Sequence, residues 1–285
     1  MDRYVAHYRR RSTRRRLFAV FPAVFGALWI ALEPAGLFFP DAFDWGWPGY
    51  LALLAASAAL AIFYARPRDE IARALPPTDV KVTIRVGDIL EQNGNVIVGS
   101  NDAFDTQLED EVISANSLQG QLLLKVFEGD RAELDSQIEG SLATIEGLLD
   151  STKTFGKRYR YPIGTVALVR RGRARYFLPA FAQMSAGMPA NVRASIEDLE
   201  IALARTWQTI NAAGQHEPVH APIVGSRLAR LGVSRTLLAQ MIILSFIAAT
   251  RSGGPTSLTL WISPHDRDDV DVLVLDDWLR GLCTA

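Results

Sequence analysis

The chain has 285 residues, with 30 basic and 31 acidic side chains, and its formal net charge is −1. One cysteine excludes an intrachain disulfide, and the four histidines are too scattered for a metal-ligand motif, so we predict no metal site. Residues 1–73 hold 10 arginines and 6 acids, whereas the remainder holds 20 basic and 25 acidic side chains. That remainder, about 210 residues long, suits one α/β domain, and its acidity disfavours nucleic-acid binding.

Two apolar stretches lie in the N-terminal part, Leu17 to Phe39 and Trp47 to Ala65. Each is long enough to cross a bilayer core of about 30 Å, which takes about 20 helical residues. Arginines precede the first stretch and follow the second, whereas the turn between them has two aspartates and no basic residue. Because basic residues favour the cytoplasmic side, the sequence predicts a multi-pass membrane hairpin with both termini in the cytoplasm.

The hairpin leaves two alternatives open. The second stretch is rich in alanine, and small residues let helices approach closely in lipid, either within the hairpin or between chains.

An exported protein with a cleaved signal is disfavoured, because the second apolar stretch would then be unexplained. Glu33-Pro34 is expected to break the first stretch near its outer end. The predicted organisation is a basic N-terminus at 1–16, the hairpin at 17–65, a linker at 66–78 and a folded domain at 79–285.

The remainder alternates strand-like and helix-like segments. The apolar helix near residue 240 is interrupted by polar side chains, so we expect it to pack under a sheet rather than to form a third span. Strands alternating with helices, together with one hairpin, predict a three-layer α/β/α domain with a mixed sheet. In chain order we predict strands at 80–87, 95–101, 165–169, 174–181, 219–225 and 257–263, and helices at 117–127, 130–149, 192–213, 234–250 and 270–282.

Three predicted strands end in polar or glycine-containing turns, at residues 87–90, 99–102 and 222–227. Ligands of open α/β sheets bind outside the carboxyl ends of the strands, so these turns are expected at one rim. A carboxylate such as that of Asp88 accepts a hydrogen bond from an exocyclic amine, which distinguishes adenine from guanine. Taken alone, a Gly-Asp pair after a strand is more often an ordinary turn.

Two further turns have the geometry that binds phosphate. Gly225-Ser226 precedes a helix and can offer backbone N–H groups to a diphosphate, with Arg227 adding a charge-assisted bond. The turn from Ser117 through Gln119 to Gly120 also opens a helix and offers the same anion-binding geometry. Each turn alone is more often a loop or a helix cap.

In this order, the patterns VTIRVGDI, NVIVGSN and PIVGSRLARLG resemble a macro domain, the module that binds ADP-ribose. The resemblance covers Val80 to the C-terminus. It implies that Asp88 recognises adenine with Ile89 beside it, that Asn101 lies near the distal ribose, and that residues 225–227 form the second phosphate loop. The triple-glycine loop of the family is replaced by SNDAFDTQLEDEVISANSLQGQ, which favours binding over hydrolysis, so no catalytic residue is assigned.

The chain also resembles the membrane-anchored macro-domain effectors of the Thoeris anti-phage system, through its two spans and the patterns ISANSLQG, YPIGTVALV and PIVGSRLARLGVSR. That resemblance implies a protein of the bacterial inner membrane that contacts lipid and self-associates. A TIR-domain partner would convert NAD into an ADP-ribose-derived signal, which is a ligand rather than a cofactor. Binding of the signal would then lead to membrane disruption.

Two alternatives remain at this level. The chain could be a membrane-anchored ADP-ribosyl hydrolase, in which Asn101, Asp102 and Asp105 orient a water molecule. It could instead be a membrane scaffold whose α/β domain binds a protein through the acidic run at residues 266–277.

Overall fold

The computed structural model describes residues 7–38, 46–76, 79–109, 112–187, 191–224, 233–251 and 253–284. The chain divides into two compact units, Met1–Asp69 and Glu70–Ala285. The division lies within the segment that the sequence analysis assigned to a linker.

The smaller unit contains two long helices, α1 (Arg11–Phe38) and α2 (Gly46–Tyr64). The segments Arg11–Pro34 and Gly46–Tyr64 are long and apolar enough to cross a membrane, by length and composition. The expected break at Pro34 is wrong, because α1 continues through that proline to Phe38. A proline removes one backbone donor and can kink a helix without ending it.

The two helices contact each other through aromatic side chains. The ring of Tyr50 on α2 lies 6.1 Å from that of Phe25 and 6.5 Å from that of Trp29, both on α1, between centroids. Other apolar side chains point outward and are uncovered, among them Ile30, which is 71% exposed, and Leu51, which is 59% exposed. Exposed apolar surface of this kind marks a contact with a membrane or with another protein.

The larger unit is built on a mixed sheet of nine strands, counted over the described residues. Its order is β1-β2-β11-β10-β3-β8-β4, with β7 and β9 also paired to β8. The central pairs are parallel, whereas β1, β7 and β9 pair antiparallel with their neighbours. The strands are β1 (Glu70–Leu75), β2 (Val80–Val86), β3 (Gly94–Ile97), β4 (Ser100–Asn101), β5 (Leu148–Leu149), β6 (Tyr159–Arg160), β7 (Val166–Arg171), β8 (Ala174–Met184), β9 (Val192–Arg193), β10 (Val219–Pro222) and β11 (Ser257–Ile262), of which β5 and β6 form a separate pair.

Helices cover both faces of the sheet, which confirms the predicted three-layer α/β/α architecture. Successive side chains of a strand point to opposite faces. On β8, Phe177 accordingly packs with the core under α5, α6 and α7, and Tyr176 and Leu178 pack with the core under α3 and α4. The helices of this unit are α3 (Leu118–Gln121), which continues as a π-helical turn at Leu122–Val126, α4 (Arg131–Leu142), α5 (Ile196–Ala213), α6 (Arg235–Thr250) and α7 (Val272–Thr284).

Several predicted boundaries need correction. The expected linker contains β1, whose Ile71 and Leu75 are buried and whose six residues pair with β2. The helix expected at 130–149 ends at Leu142, and residues 148–149 form β5 instead. The helix expected at 192–213 begins at residue 196, because a capping box centred on Ser195 fixes its start.

The parallel strands all end on the same side of the sheet. We call this side, which is formed by the strand ends and not by an outer strand, the carboxyl edge. Residues 87–88 follow β2, residues 98–99 follow β3, and residues 223–224 follow β10. The three predicted turns therefore begin at one edge, as the sequence indicated. The opposite edge, where β3, β8 and β10 begin, is called the amino edge.

Candidate functional site

Asp88 lies directly beyond β2 at the carboxyl edge and begins a short 3₁₀ turn. Its Oδ1 accepts from the backbone N–H of Leu90 at 3.0 Å, and its Oδ2 accepts from Nζ of Lys125 at 2.7 Å. Burial raises the pKa of the Asp88 carboxyl, but the hydrogen bonds from Lys125 and Leu90 outweigh it and hold the pKa below its ordinary value of 3.8. Asp88 is therefore an ionised acceptor in a fixed orientation.

Two residues that the sequence analysis did not single out build the surroundings of Asp88. Lys125 comes from the π-helical turn after α3, and π-helical turns often occur at functional sites. Trp261 on β11 packs on Gly87, where a Cβ atom would lie 2.7 Å from the indole ring, so only glycine fits. The indole Nε1 donates to Nδ1 of His220 at 3.1 Å, which fixes the ring plane. Ile89 is buried beneath this corner, in the core under α3 and α4.

Asn101 ends β4 and shapes the chain that follows it. Its Oδ1 accepts from the backbone N–H groups of Ala103 at 2.9 Å and Asp105 at 3.2 Å. This is a local turn of the kind asparagine forms at strand ends. The Asn101 side chain is buried and reaches the same edge as Asp88.

Asp102 and Asp105, which with Asn101 are the three candidates for orienting a water molecule, both make ion pairs and backbone hydrogen bonds. Asp102 accepts from the backbone N–H of Met184 and from Nη1 of Arg160, each at 2.8 Å. Asp105 is fully buried, accepts from Nζ of Lys153 at 2.7 Å and accepts from the N–H of Lys157 at 2.6 Å. Both carboxylates therefore fix the chain locally in this structure, each through one ion pair and one backbone hydrogen bond.

The turn at Ser117 is capped by its own side chain. Oγ of Ser117 accepts from the N–H of Gly120 at 3.0 Å and donates to the carbonyl of Ser114 at 2.6 Å. A Cβ atom on Gly120 would lie 2.4 Å from that same carbonyl oxygen, so the turn requires glycine. Nε2 of Gln119 donates to Oγ of Ser100 at 3.1 Å and thereby ties the turn to β4. These bonds fix the turn at residues 117–120 next to β4, beside the carboxyl edge.

The predicted second phosphate loop, Gly225, Ser226 and Arg227, lies outside the described residues. The described end of that segment reaches the second predicted turn, because a Cβ atom on Gly99 would lie 3.9 Å from Cγ1 of Val224 and 3.2 Å from the Phe181 ring. The structure thus places Gly99 beside Val224, the last described residue before the predicted loop. Asp88 lies beside the π-helical turn that follows α3, through its bond to Lys125.

Two cavities lie away from these residues. One of about 540 Å³ opens between α5 and α6 and is lined by apolar side chains such as Trp207 and Met241. The other, of about 320 Å³, lies at the amino edge. Within the described ranges, no group of three or more His, Cys, Asp and Glu side chains could hold a metal ion.

Comparison with known proteins decides the family. Residues 82–263 match the model described as "Thoeris protein ThsA, Macro domain". The chain belongs to the ThsA macro-domain family. Thoeris protein ThsA of Bacillus amyloliquefaciens (strain Y2) is 25% identical over 210 residues, which cover 70% of this chain and 68% of that relative. The resemblance to Thoeris macro-domain proteins that was predicted from the sequence patterns is confirmed.

Solved structures similar to this chain include two of the Oceanobacillus iheyensis macrodomain. The structure with ADP is 11% identical, has a TM-score of 0.48, and is matched over 74% of this chain and 95% of its own. The structure of a mutant is 10% identical, has a TM-score of 0.47, and is matched over 75% and 97%. Because both scores are below 0.5, the family assignment rests on the family model alone.

Proposed function

We propose that this protein is a membrane effector of a Thoeris anti-phage system and that its larger unit binds an ADP-ribose-derived nucleotide at the carboxyl edge. The observation that carries the proposal is the oriented, ionised carboxylate of Asp88, in a chain of the ThsA macro-domain family. In this proposal the protein senses a ligand and is not an enzyme.

Asp88 can read the base of the nucleotide. Each carboxylate oxygen has more than one acceptor position, so Oδ2 can accept from an adenine amine beside Lys125. Guanine would present a carbonyl oxygen at the equivalent position, and two acceptors facing each other repel. Ile89 contributes the apolar floor under this corner. The site therefore favours adenine over guanine.

The remaining parts of the ligand follow the carboxyl edge. We assign the distal ribose to the surroundings of Asn101 and the diphosphate to backbone N–H groups of residues 225–227, with the Arg227 guanidinium adding charge. The turn formed by Ser117, Gln119 and Gly120 would lie beside the ribose. It is held in place by the Ser117 cap and by the hydrogen bond from Gln119 to Ser100 on β4.

The smaller unit supplies the response. We propose that α1 and α2 span the bacterial inner membrane with both chain ends in the cytoplasm, in contact with lipid. A TIR-domain enzyme that consumes NAD would supply the signal. Binding then drives self-association and rearrangement of the spans, which disrupts the membrane. The ligand shifts this equilibrium only by binding the associated state more tightly than the resting state.

Calorimetric titration of the full chain in detergent with ADP-ribose tests the site. Asp88→Ala should weaken binding roughly 10- to 100-fold, because one charge-assisted hydrogen bond is worth about 1.5–3 kcal/mol. Glu91→Ala, which removes a nearby exposed carboxylate, is the matched control and should bind as the unmodified chain does. Equal affinity of Asp88→Ala and Glu91→Ala would show that Asp88 does not read the ligand.

Dye release from lipid vesicles tests the response. The full chain is reconstituted in vesicles and exposed to small-molecule extract from cells that express a TIR-domain partner. Release should require the extract and should be lost in Asp88→Ala. Release that is equal with and without the extract would contradict ligand gating, and its absence under every condition would contradict membrane disruption.

A further inference from the structure

We propose that the amino edge of the sheet carries a second anion site, which binds a phosphate ester or diphosphate. The cavity of about 320 Å³ opens there, between the β7–β8 turn and the segment that joins α5 to β10. It lies at the opposite edge from Asp88, so the inference does not rest on the proposed nucleotide site. Its polar lining consists of Asn93, Arg170, Arg173, Arg175, Gln215 and Glu217.

The lining is strongly basic. Three guanidinium groups face one carboxylate, that of Glu217, which leaves a formal balance of +2. Arg170 and Arg173 are exposed, and neither side chain has a hydrogen bond or ion pair with any described residue. A guanidinium presents a planar fork of donors that matches the oxygens of a phosphate. Two such groups without a protein acceptor at the mouth of a cavity favour an anionic ligand.

Arg175 forms the floor of the cavity and has an unsatisfied donor. Its Nη2 donates to Oε1 of Gln215. Its Nη1 lies 3.3 Å from Oε2 of Glu217, yet the geometry makes no hydrogen bond, so this buried atom has no hydrogen-bond partner in the described part of the chain. The Glu217 side chain is 43% exposed and can swing outward. A phosphate oxygen in place of that carboxylate would satisfy Nη1.

The segment that carries Gln215 and Glu217 is held in a costly conformation. Gln215 and His216 have φ angles of 54° and 58°, in the left-handed region that side chains other than glycine rarely adopt. The fully buried Asn95 fixes the segment, because its Nδ2 donates to the carbonyls of Gly214 at 2.9 Å and Glu217 at 3.0 Å. Strained backbone clusters at ligand sites, where the surrounding structure enforces it. In this segment the strained backbone holds the side chains of Gln215 and Glu217 beside Arg175.

Equilibrium dialysis of labelled pyrophosphate against the full chain in detergent tests the site. Arg173→Gln should weaken binding on the order of tenfold or more, and added salt should weaken it further, because the guanidinium is exposed. Arg205→Gln removes the same charge from an exposed position on α5 and should leave binding unchanged. Only the part of the binding that is lost in Arg173→Gln is assigned to this cavity, because pyrophosphate could also occupy the diphosphate position proposed at the carboxyl edge.

A phosphate group reaches the cavity either on a soluble molecule or on a lipid head group, and a second arm separates these sources. Vesicles of phosphatidylglycerol or of phosphatidylcholine are floated with the full chain held in phosphatidylcholine nanodiscs. Capture by phosphatidylglycerol alone, reduced by Arg173→Gln, would identify a lipid head group, whereas pyrophosphate binding without capture would identify a soluble phosphate. Binding that Arg173→Gln leaves unchanged in both arms, or no binding in either, would overturn the proposal.

Discussion

Replacing Lys153 with methionine is expected to destabilise the larger unit severely, because it isolates a buried charge. Lys153 and Asp105 are both fully buried, and Nζ lies 2.7 Å from Oδ2. The same Nζ donates to the carbonyl of Lys157 at 2.5 Å, and the N–H of Lys157 donates to the other carboxylate oxygen at 2.6 Å. Methionine has a stem of similar length, so the substitution removes the charge and retains most of the packing.

The magnitude follows from the burial. Breaking a fully buried ion pair by removing one member costs about 3–5 kcal/mol, because the remaining charge keeps its desolvation penalty. This is a large part of the total stability of a domain, which is about 5–15 kcal/mol. For a unit of this size each kcal/mol shifts the melting temperature by about 2–4 °C, so we expect a decrease of roughly 6–20 °C. The double variant Lys153→Met/Asp105→Asn should recover much of the loss, because no charge is left buried.

Thermal unfolding of the full chain, followed by near-ultraviolet circular dichroism in one detergent and buffer, measures the effect. Lys81→Met is the matched control, because Lys81 is exposed on β2 and has no ion pair with the described residues. If Lys153→Met melted within about 2 °C of Lys81→Met, the pair would not hold the loop between β5 and β6 against the segment that follows β4, and the reasoning would fail.

Two further predictions concern pH. Hydrogen bonds from the Thr152 hydroxyl and from Arg160 lower the pKa of Asp150 from 3.8 to about 2. The ionised carboxylate therefore stabilises the fold fully above pH 3.8, and this stabilisation is lost as the pH falls towards about 2. Acid unfolding of Asp150→Asn should lack this loss of stability, and an acid profile equal to that of the unmodified chain would contradict the prediction. Lys125→Met removes a bond that lowers the pKa of Asp88, so the carboxyl should become protonated at a higher pH than in the unmodified chain. As the pH is lowered, calorimetry should therefore show that the variant loses ADP-ribose binding first. Identical pH profiles for the two proteins would contradict this.

Local sequence signals predicted most elements of the larger unit. Alternating apolar residues identified β2, and the hairpin of β7 and β8 followed from two apolar runs around a basic turn. The serines that cap α3 and α6 were visible as helix starts. The strand β1 was missed, because a short edge strand between prolines and charges forms only where β2 supplies its hydrogen bonds.

In the candidate site, likewise, the position of some residues follows from the local sequence, whereas the position of others depends on the fold. Asp88 is the second residue after the end of β2 and Asn101 is the last residue of β4, so their presence at the carboxyl edge could be predicted from strand order. Lys125 could not be connected with Asp88, because it is 37 residues away and reaches the carboxylate only through the packing of the π-helical turn. Likewise, no local signal shows that Trp261 closes on Gly87, since β11 lies beside β2 only in the folded sheet.

The sequence by itself determined the two apolar helices, the strand and helix periodicity and the family, because hydrophobic spacing and short motifs are local properties of the chain. Only the tertiary structure decided which charges are available. It buried Asp102 and Asp105 in ion pairs with Arg160 and Lys153, while Asp88 stayed accessible at the edge. Ion pairs join residues far apart in the chain, and their burial depends on the whole fold, so the residue types alone could not distinguish a structural carboxylate from one that meets a ligand.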